Sequence, residues 1–233
     1  MIKAMILSAG YGKRLNPLTL DCPKPLLSIG NETLLSNTIK FLERNGIREI
    51  VINVHYLAEQ IIDYINKKKF NSSISIIKEK DSILDTGGGV LNAIKFFSDE
   101  PFLIINPDTL WNENYDEELQ LMEKKIFSGK NCKCSMLVVN KEKSFDKNFK
   151  GDFNLINDLI SRKEKNNLKY IYTGMQIIHP TSFSGLIDKS FSINKIWDKL
   201  ILKNELFGIQ SKNDFFHIST LDVYNILKKN FKY

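Results

Sequence analysis

No stretch of this chain is apolar for long enough to cross a bilayer. Its first residues run directly into a strand-like segment, without the basic, apolar and small-residue succession of a secretory leader. Both absences predict a cytoplasmic protein. Cysteine is scarce too: Cys22, Cys132 and Cys134 make an odd number. A lone Cys-x-Cys with no second pair or histidine cluster is a poor metal site, so reduced, structural thiols are expected. There is no low-complexity tract, no solenoid repeat, and no Ser/His/Asp or Cys/His pattern announcing covalent catalysis.

The formal charge of +6 invites a nucleic-acid reading, but its lysines are interleaved with Asp and Glu. The clusters Lys67-Lys68-Lys69 and Lys228-Lys229 fall where helices should end, which suits the helix dipole. No basic stripe interleaved with aromatics is present, so neither nucleic acid nor a membrane is an expected partner. With 233 residues, 42% hydrophobic and 26% charged, the chain has ordinary globular composition. One domain is expected, with a nucleotide-binding half over about 1–130 and a sugar-phosphate half over about 131–233.

The first half alternates strand and helix. Apolar runs at 2–7, 49–54, 74–77 and 102–105 read as parallel strands. Leu35, Ile39 and Leu42 recur at helical spacing before Gly46; Leu57, Ile61 and Ile65 mark a second helix, and 90–97 a third. From about Cys132 the runs shorten, with strands at 135–139, 152–156, 170–179 and 205–210 and helices near 180–186 and 193–203. The pattern predicts an α/β protein whose C-terminal half is mixed. The segment 141–150 reads as a mobile lid.

Gly10-Tyr11-Gly12-Lys13-Arg14, opening out of the first strand, is the most informative motif. A dinucleotide fingerprint would need glycine where Leu15 stands, and a P-loop would need Gly-Lys-Ser/Thr. What remains reads as a triphosphate-handling loop. Its glycines admit phosphate oxygens close to backbone N–H groups, and Arg14 and Lys24 add full positive charges. Asp108, in Asn106-Pro107-Asp108 after the fourth strand, projects a carboxylate to the same sheet edge and is the best candidate for Mg²⁺. Leu84-Asp85-Thr86-Gly87-Gly88-Gly89 reads as a bare surface for a nucleoside, just ahead of the third helix.

The glycine loop, the segment 51–61, the Leu-Asp-Thr-Gly-Gly-Gly run, Asn106-Pro107-Asp108 and Gly151-Asp152-Phe153 together resemble the sugar-1-phosphate nucleotidyltransferases over most of the chain. Length and spacing are most similar to the branch that uridylylates N-acetylmuramate 1-phosphate in cell-wall recycling, with mannose-1-phosphate guanylyltransferase-like members next. The resemblance implies a Rossmann-like nucleotidyltransferase fold with helices on both faces of a mostly parallel sheet. It also implies Mg²⁺, and transfer from an NTP to a sugar 1-phosphate with release of pyrophosphate. By position, Ala9, Gly10, Gly12, Asn53, Thr86, Gly87 and Gly88 would bind the nucleotide. Asn106, Asp152 and Gly174 would bind the sugar phosphate. Arg14, Lys24 and Asp108 would be catalytic, and a sugar kinase would act upstream.

One departure stands out. Where relatives read Trp-x-Asp-x-Gly-Thr, this chain has Phe215-Phe216-His217-Ile218-Ser219-Thr220, so His217 replaces the second metal ligand. Mg²⁺ prefers oxygen, which favours a water-mediated role for His217 over direct coordination. The replacement also raises a non-enzymatic alternative, a lapsed domain that senses nucleotide sugars.

Overall fold

The computed structural model describes residues 2–128, 131–163 and 167–230. In chain order, β1 (Ala4–Ser8) leads through α1 (Leu18–Asp21) to the hairpin β2 (Ser28–Ile29) and β3 (Glu32–Thr33). Then come α2 (Leu34–Arg44), β4 (Glu49–Val54), α3 (Ala58–Lys67), β5 (Ser73–Lys78), α4 (Asp85–Ala93), β6 (Phe102–Ile105) and α5 (Asp116–Ser128). The second half adds β7 (Cys134–Asn140), β8 (Asn154–Ile156), β9 (Leu159–Ser161), β10 (Tyr170–Ile178), α6 (Asn194–Leu202), β11 (Leu206–Ser211) and α7 (Leu221–Asn230).

β6 is apolar on every residue and β1 and β4 on most, and strands of that kind must be covered on both faces. They lie in a nine-stranded sheet ordered β5-β4-β1-β6-β10-β7-β11-β9-β8. The first four strands are mutually parallel. β10 enters antiparallel to both β6 and β7, so the mixed half continues the same sheet. Alternate residues feed opposite cores. Ala4 and Ile6 join Leu35, Ile39, Leu42, Leu119 and Met122 on one face, while Met5 and Ile104 join Val90, Ile196, Trp197 and Leu200 on the other. Each buried Leu, Ile, Val or Met among these contributes roughly 1.5–3 kcal/mol. Among the described residues no helix is long and apolar enough to cross a membrane.

Local signals explain the main helices. Thr33 caps α2, its hydroxyl accepting from the Ser36 N–H, and Gly46 at φ 77 turns the chain out of it. α5 was not evident in the spacing of apolar residues; Asp116, Glu117 and Glu118 in its first turn suit the helix dipole, and Leu119, Met122 and Ile126 bury its inner face.

Two expectations are corrected. The third helix begins at Asp85, not Val90, so the triple glycine lies inside it and all three glycines are buried. The absent side chains admit the 189–191 segment: the N–H groups of Gly87 and Gly88 both donate to the Phe191 carbonyl, at 2.9 and 3.0 Å. The segment 141–150 is tied down and is no free lid. Phe145 N–H donates to the Phe215 carbonyl at 2.9 Å, and Phe215 N–H returns a bond to the Lys143 carbonyl. Asp146 takes the Ser219 hydroxyl at 2.5 Å, leaving Ser144 and Asp146 buried.

A Cβ added at Gly88 would stand 2.2 Å from the Lys189 carbonyl oxygen, which is backbone and has little room to yield. Gly88→Ala is therefore expected to destabilise the protein by roughly 1–3 kcal/mol, lowering the thermal midpoint. A midpoint equal to wild type would show that the segment 189–191 is free to move away.

Candidate active site

The chain lays β1 first, moves outward to β4 and β5, then returns to place β6 on the other side of β1. At this reversal, loops leaving adjacent carboxyl ends diverge and open a crevice. The loop after β1 supplies Ala9 to Arg14; the turn after β6 supplies Asn106 to Asp108. Between them lies a cleft of 490 Å³ that also touches Lys24, Asn53, Asp85 and Thr86.

The glycine loop is shaped by its glycines. Gly12 is left-handed at φ 66, and its carbonyl accepts from Leu15 N–H and from the buried Thr19 hydroxyl, at 2.9 and 3.0 Å. Around Gly10 a Cβ would meet nothing within 4 Å, so its backbone faces open space at the cleft. Arg14 sits in the following helical turn, exposed and with no acidic partner among the described residues. That is a cation available to an incoming anion.

Lys24 behaves differently. Its ammonium lies 2.5 Å from Asp108 Oδ2, with side-chain exposures of only 13% and 19%. Burial alone would raise the Asp108 carboxyl, but His217 and Lys24 more than offset that and hold it at about 2. The other oxygen, Oδ1, is buried without a hydrogen-bond partner and lies 3.5 Å from His217 Nδ1. His217 stacks on Phe215 with centroids 5.7 Å apart, and its Nδ1 is 3.3 Å from the Thr109 hydroxyl. Burial pushes the imidazole down to about 4, against the pull of Asp108 and with the help of Lys24 and Arg14. Its burial therefore favours the neutral imidazole at pH 7.

The remaining predicted residues divide. Asn106, Asp152 and Gly174 come together at a second pocket of 160 Å³, which His217 borders too. Gly174, at φ 95 where the β10–β7 register shifts, accepts Asn106 N–H at 2.8 Å and lets the asparagine side chain approach its Cα. Asp152 accepts Tyr172 N–H at 2.9 Å, and desolvation of its carboxyl beside the pocket wall raises it from the ordinary value, although the residue as a whole is exposed. Ala9 and Thr86 line the main cleft, where the Thr86 hydroxyl accepts Ile193 N–H. Gly87 and Gly88 do not border it; they face the 189–191 segment for the packing reason given above. Trp197 is buried in the core, yet also walls the smaller pocket.

Asn53 borders the cleft, but both ends of its amide are engaged. Oδ1 accepts Ser8 N–H at 3.0 Å and Nδ2 donates to Glu79 Oε1 at 2.7 Å. Glu79, 3% exposed, then takes Leu84 N–H on its other oxygen. Nothing in the run Lys78-Glu79-Lys80-Asp81 separates this buried brace from a solvated charge cluster, so sequence reasoning missed it.

A cleft with a glycine loop, an unpaired arginine and a Lys–Asp pair thus lies beside a smaller pocket that mixes polar and aromatic side chains, with Asn106 common to both. The family model described as Nucleotidyl transferase matches residues 3–145. The chain belongs to this family. It is 26% identical over 92% of its length to N-acetylmuramate alpha-1-phosphate uridylyltransferase of Caulobacter vibrioides, covering 90% of that protein. To the enzyme of the same name from Neisseria meningitidis it is 32% identical, with 79% of this chain and 78% of that one covered. Its fold is that of HddC from Yersinia pseudotuberculosis, with a TM-score of 0.76, 24% identity and full coverage of both chains. The relatives establish a sugar-1-phosphate nucleotidyltransferase.

Histidine in an unfolded chain titrates near ~6.5, whereas folded His217 does so at about 4. Between these values the unfolded state binds more protons, so stability falls as pH drops from about 6.5 toward 4. Asp108 has the opposite placement; its contribution is full above the ordinary carboxylate range and is lost only as pH falls toward about 2. Denaturant midpoints between pH 7 and 4.5 should decline less in His217→Asn than in wild type. Parallel curves would mean that folding leaves the His217 pKa where it is in the unfolded chain.

Proposed function

We propose that the protein transfers uridylate from UTP to N-acetylmuramate 1-phosphate, releasing pyrophosphate. The observation that carries this reading is the Lys24–Asp108 pair, which lines the larger cleft beside Asn106, the residue that the cleft shares with the smaller pocket. A sugar phosphate oxygen attacks the α-phosphorus, forming one P–O bond as the bond to the departing pyrophosphate breaks. The attacking oxygen is already ionised at neutral pH, so no general base is needed. Both reactants are anions, and the barrier is largely electrostatic and positional.

Each residue has a place in that chemistry. The backbone around Gly10 and Gly12 receives phosphate oxygens, and Arg14 neutralises the pyrophosphate as it leaves. Lys24 spans the α-phosphate and the sugar phosphate. Asn106 and Asp152 take the sugar side. Asp108 fits Mg²⁺, since its Oδ1 is buried, ionised and without a partner; substrate phosphates and water would complete the shell. Mg²⁺, when bound, supplies charge neutralisation at the phosphate oxygens. His217, neutral beside Oδ1, suits a contact through a water of that shell. The same reading has the protein act in the cytoplasm on the product of a sugar kinase, as part of cell-wall recycling.

Pyrophosphate release, measured for four NTPs against a panel of sugar 1-phosphates, tests the substrate pair. UTP with N-acetylmuramate 1-phosphate should be fastest. GTP with mannose 1-phosphate in first place would move the protein to the guanylyltransferase branch, and silence with every pair would leave a sensor domain.

Two variants separate charge from fold. Arg14→Ala should cost ~10²-fold in turnover while its melting curve stays near wild type, because Arg14 is exposed and unpaired. Lys24→Ala strands the buried Asp108 carboxylate and should lower both turnover and stability, the latter by roughly 3 kcal/mol. Wild-type rates in Arg14→Ala would remove the loop from the phosphate site.

A further inference from the structure

The smaller pocket contains a group that nucleotidyl transfer to a neutral sugar does not require. Among the described residues lining it, Arg162 is the one Lys or Arg. It follows β9, at the Asn194 and Trp197 side of the pocket, and its side chain is 26% exposed. The guanidinium carbon lies 4.7 Å from the Phe153 ring centroid and 6.0 Å from that of Trp197, a cation held on aromatic faces.

Two hydrogen bonds fix its orientation. Nη1 donates to Asp198 Oδ1 at 2.5 Å and Nη2 donates to Asn194 Oδ1, both acceptors on α6. A guanidinium carries five N–H groups, so three are left over. Asp198 is 58% exposed on its side chain, and a pair so open to water contributes little to stability.

Its position within the pocket decides which anion it serves. The phosphate of a bound sugar must reach Lys24 and Asp108. That corner is marked by His217, which lies 3.5 Å from Asp108 and is packed on Phe215 and Phe149. Arg162 is anchored instead to α6, beside Asn194 and Trp197, and it makes no contact with Lys24, Asp108 or His217. Asp152, whose carboxylate feels the Arg162 charge, supplies an acceptor for sugar hydroxyls between these corners.

We propose that Arg162 reads a second acidic group on the sugar, so that the acceptor class is sugar 1-phosphates bearing a carboxylate on the ring or on a ring substituent. This rests on the transferase reading above and assigns to it the residue that tells an acidic acceptor from a neutral one. A carboxylate arriving there would accept from the N–H groups that Asp198 and Asn194 leave over, directional donors on a planar group that lysine does not offer.

The test uses the intact protein with UTP and two acceptors that share a ring: N-acetylmuramate 1-phosphate, which carries a carboxylate on its ether substituent, and N-acetylglucosamine 1-phosphate, which does not. Wild type should favour the acidic acceptor by 10-fold or more in kcat/KM. Arg162→Met should lose about that factor, mainly through KM and on the acidic acceptor alone. Arg162→Lys should fall between the two, and keeps the comparison available should the methionine variant fold poorly. Calorimetric titration with the two UDP-sugars should show the same difference without turnover.

Equal losses on both acceptors would make Arg162 a ligand of the common phosphate and overturn the proposal. So would no loss on either, which would leave a surface pair joining the β9 segment to α6. A wild-type enzyme that releases pyrophosphate with both acceptors alike would sink the proposal while nucleotidyl transfer stands; no release with any acceptor would sink both.

Discussion

Lys24 and Asp108 meet across the crevice at 2.5 Å from opposite sides of the strand reversal, 84 residues apart in the chain. Much of the site's electrostatics follows from that contact. A carboxylate with so little solvent around it stays ionised only because a cation is beside it, and the ammonium stays buried for the same reason. The pair also fixes the relative position of the two loops that phosphates must approach. Arg14, left exposed, is the complement: one cation is committed to holding the site together and one is free for substrate.

The pair can be held this closely because the surrounding backbone is braced by buried polar groups and glycines bonded to other parts of the chain. Asn53 and Glu79 carry hydrogen bonds from the end of β1 to the start of α4. Gly87 and Gly88 let α4 close on the Phe191 carbonyl, and Gly174 lets β10 seat Asn106 beside Asp108. Each substitutes a close backbone approach or a buried polar bridge for a side chain in the cleft. Glycines in such positions lose more entropy on folding than alanine would, and what offsets it is geometry.

This division explains what the sequence shows. β4 and β6 fall where the apolar runs end, and the glycine loop, Lys24 and Asp108 are legible because they combine a phosphate chemistry with a strand-end position. The triple glycine misleads because a bare helix surface looks alike whether it faces a ligand or another segment of chain. Segment 141–150 misleads for a related reason: charged and polar residues without periodicity read as loop, but the hydrogen bonds from Phe215 and Ser219 that pin them come from some 70 residues away. Glu79 and Arg162 are charged residues in charged neighbourhoods, and only their burial or their ring contacts distinguish them.

His217 completes the account of charge. A second carboxylate at that position would stand against Asp108 with Lys24 as its nearest balance, so the empty site would carry uncompensated negative charge in a poorly solvated place. A neutral imidazole removes that repulsion at the cost of an oxygen donor. Among the described residues no group of three His, Cys, Asp or Glu is close enough to hold a cation unaided. Asp108 offers one free oxygen, and the remaining ligands of a hard cation would have to be phosphate oxygens and water. On the proposed transferase reading, such a donor set would suit a metal that arrives with the nucleotide over one that resides in the protein.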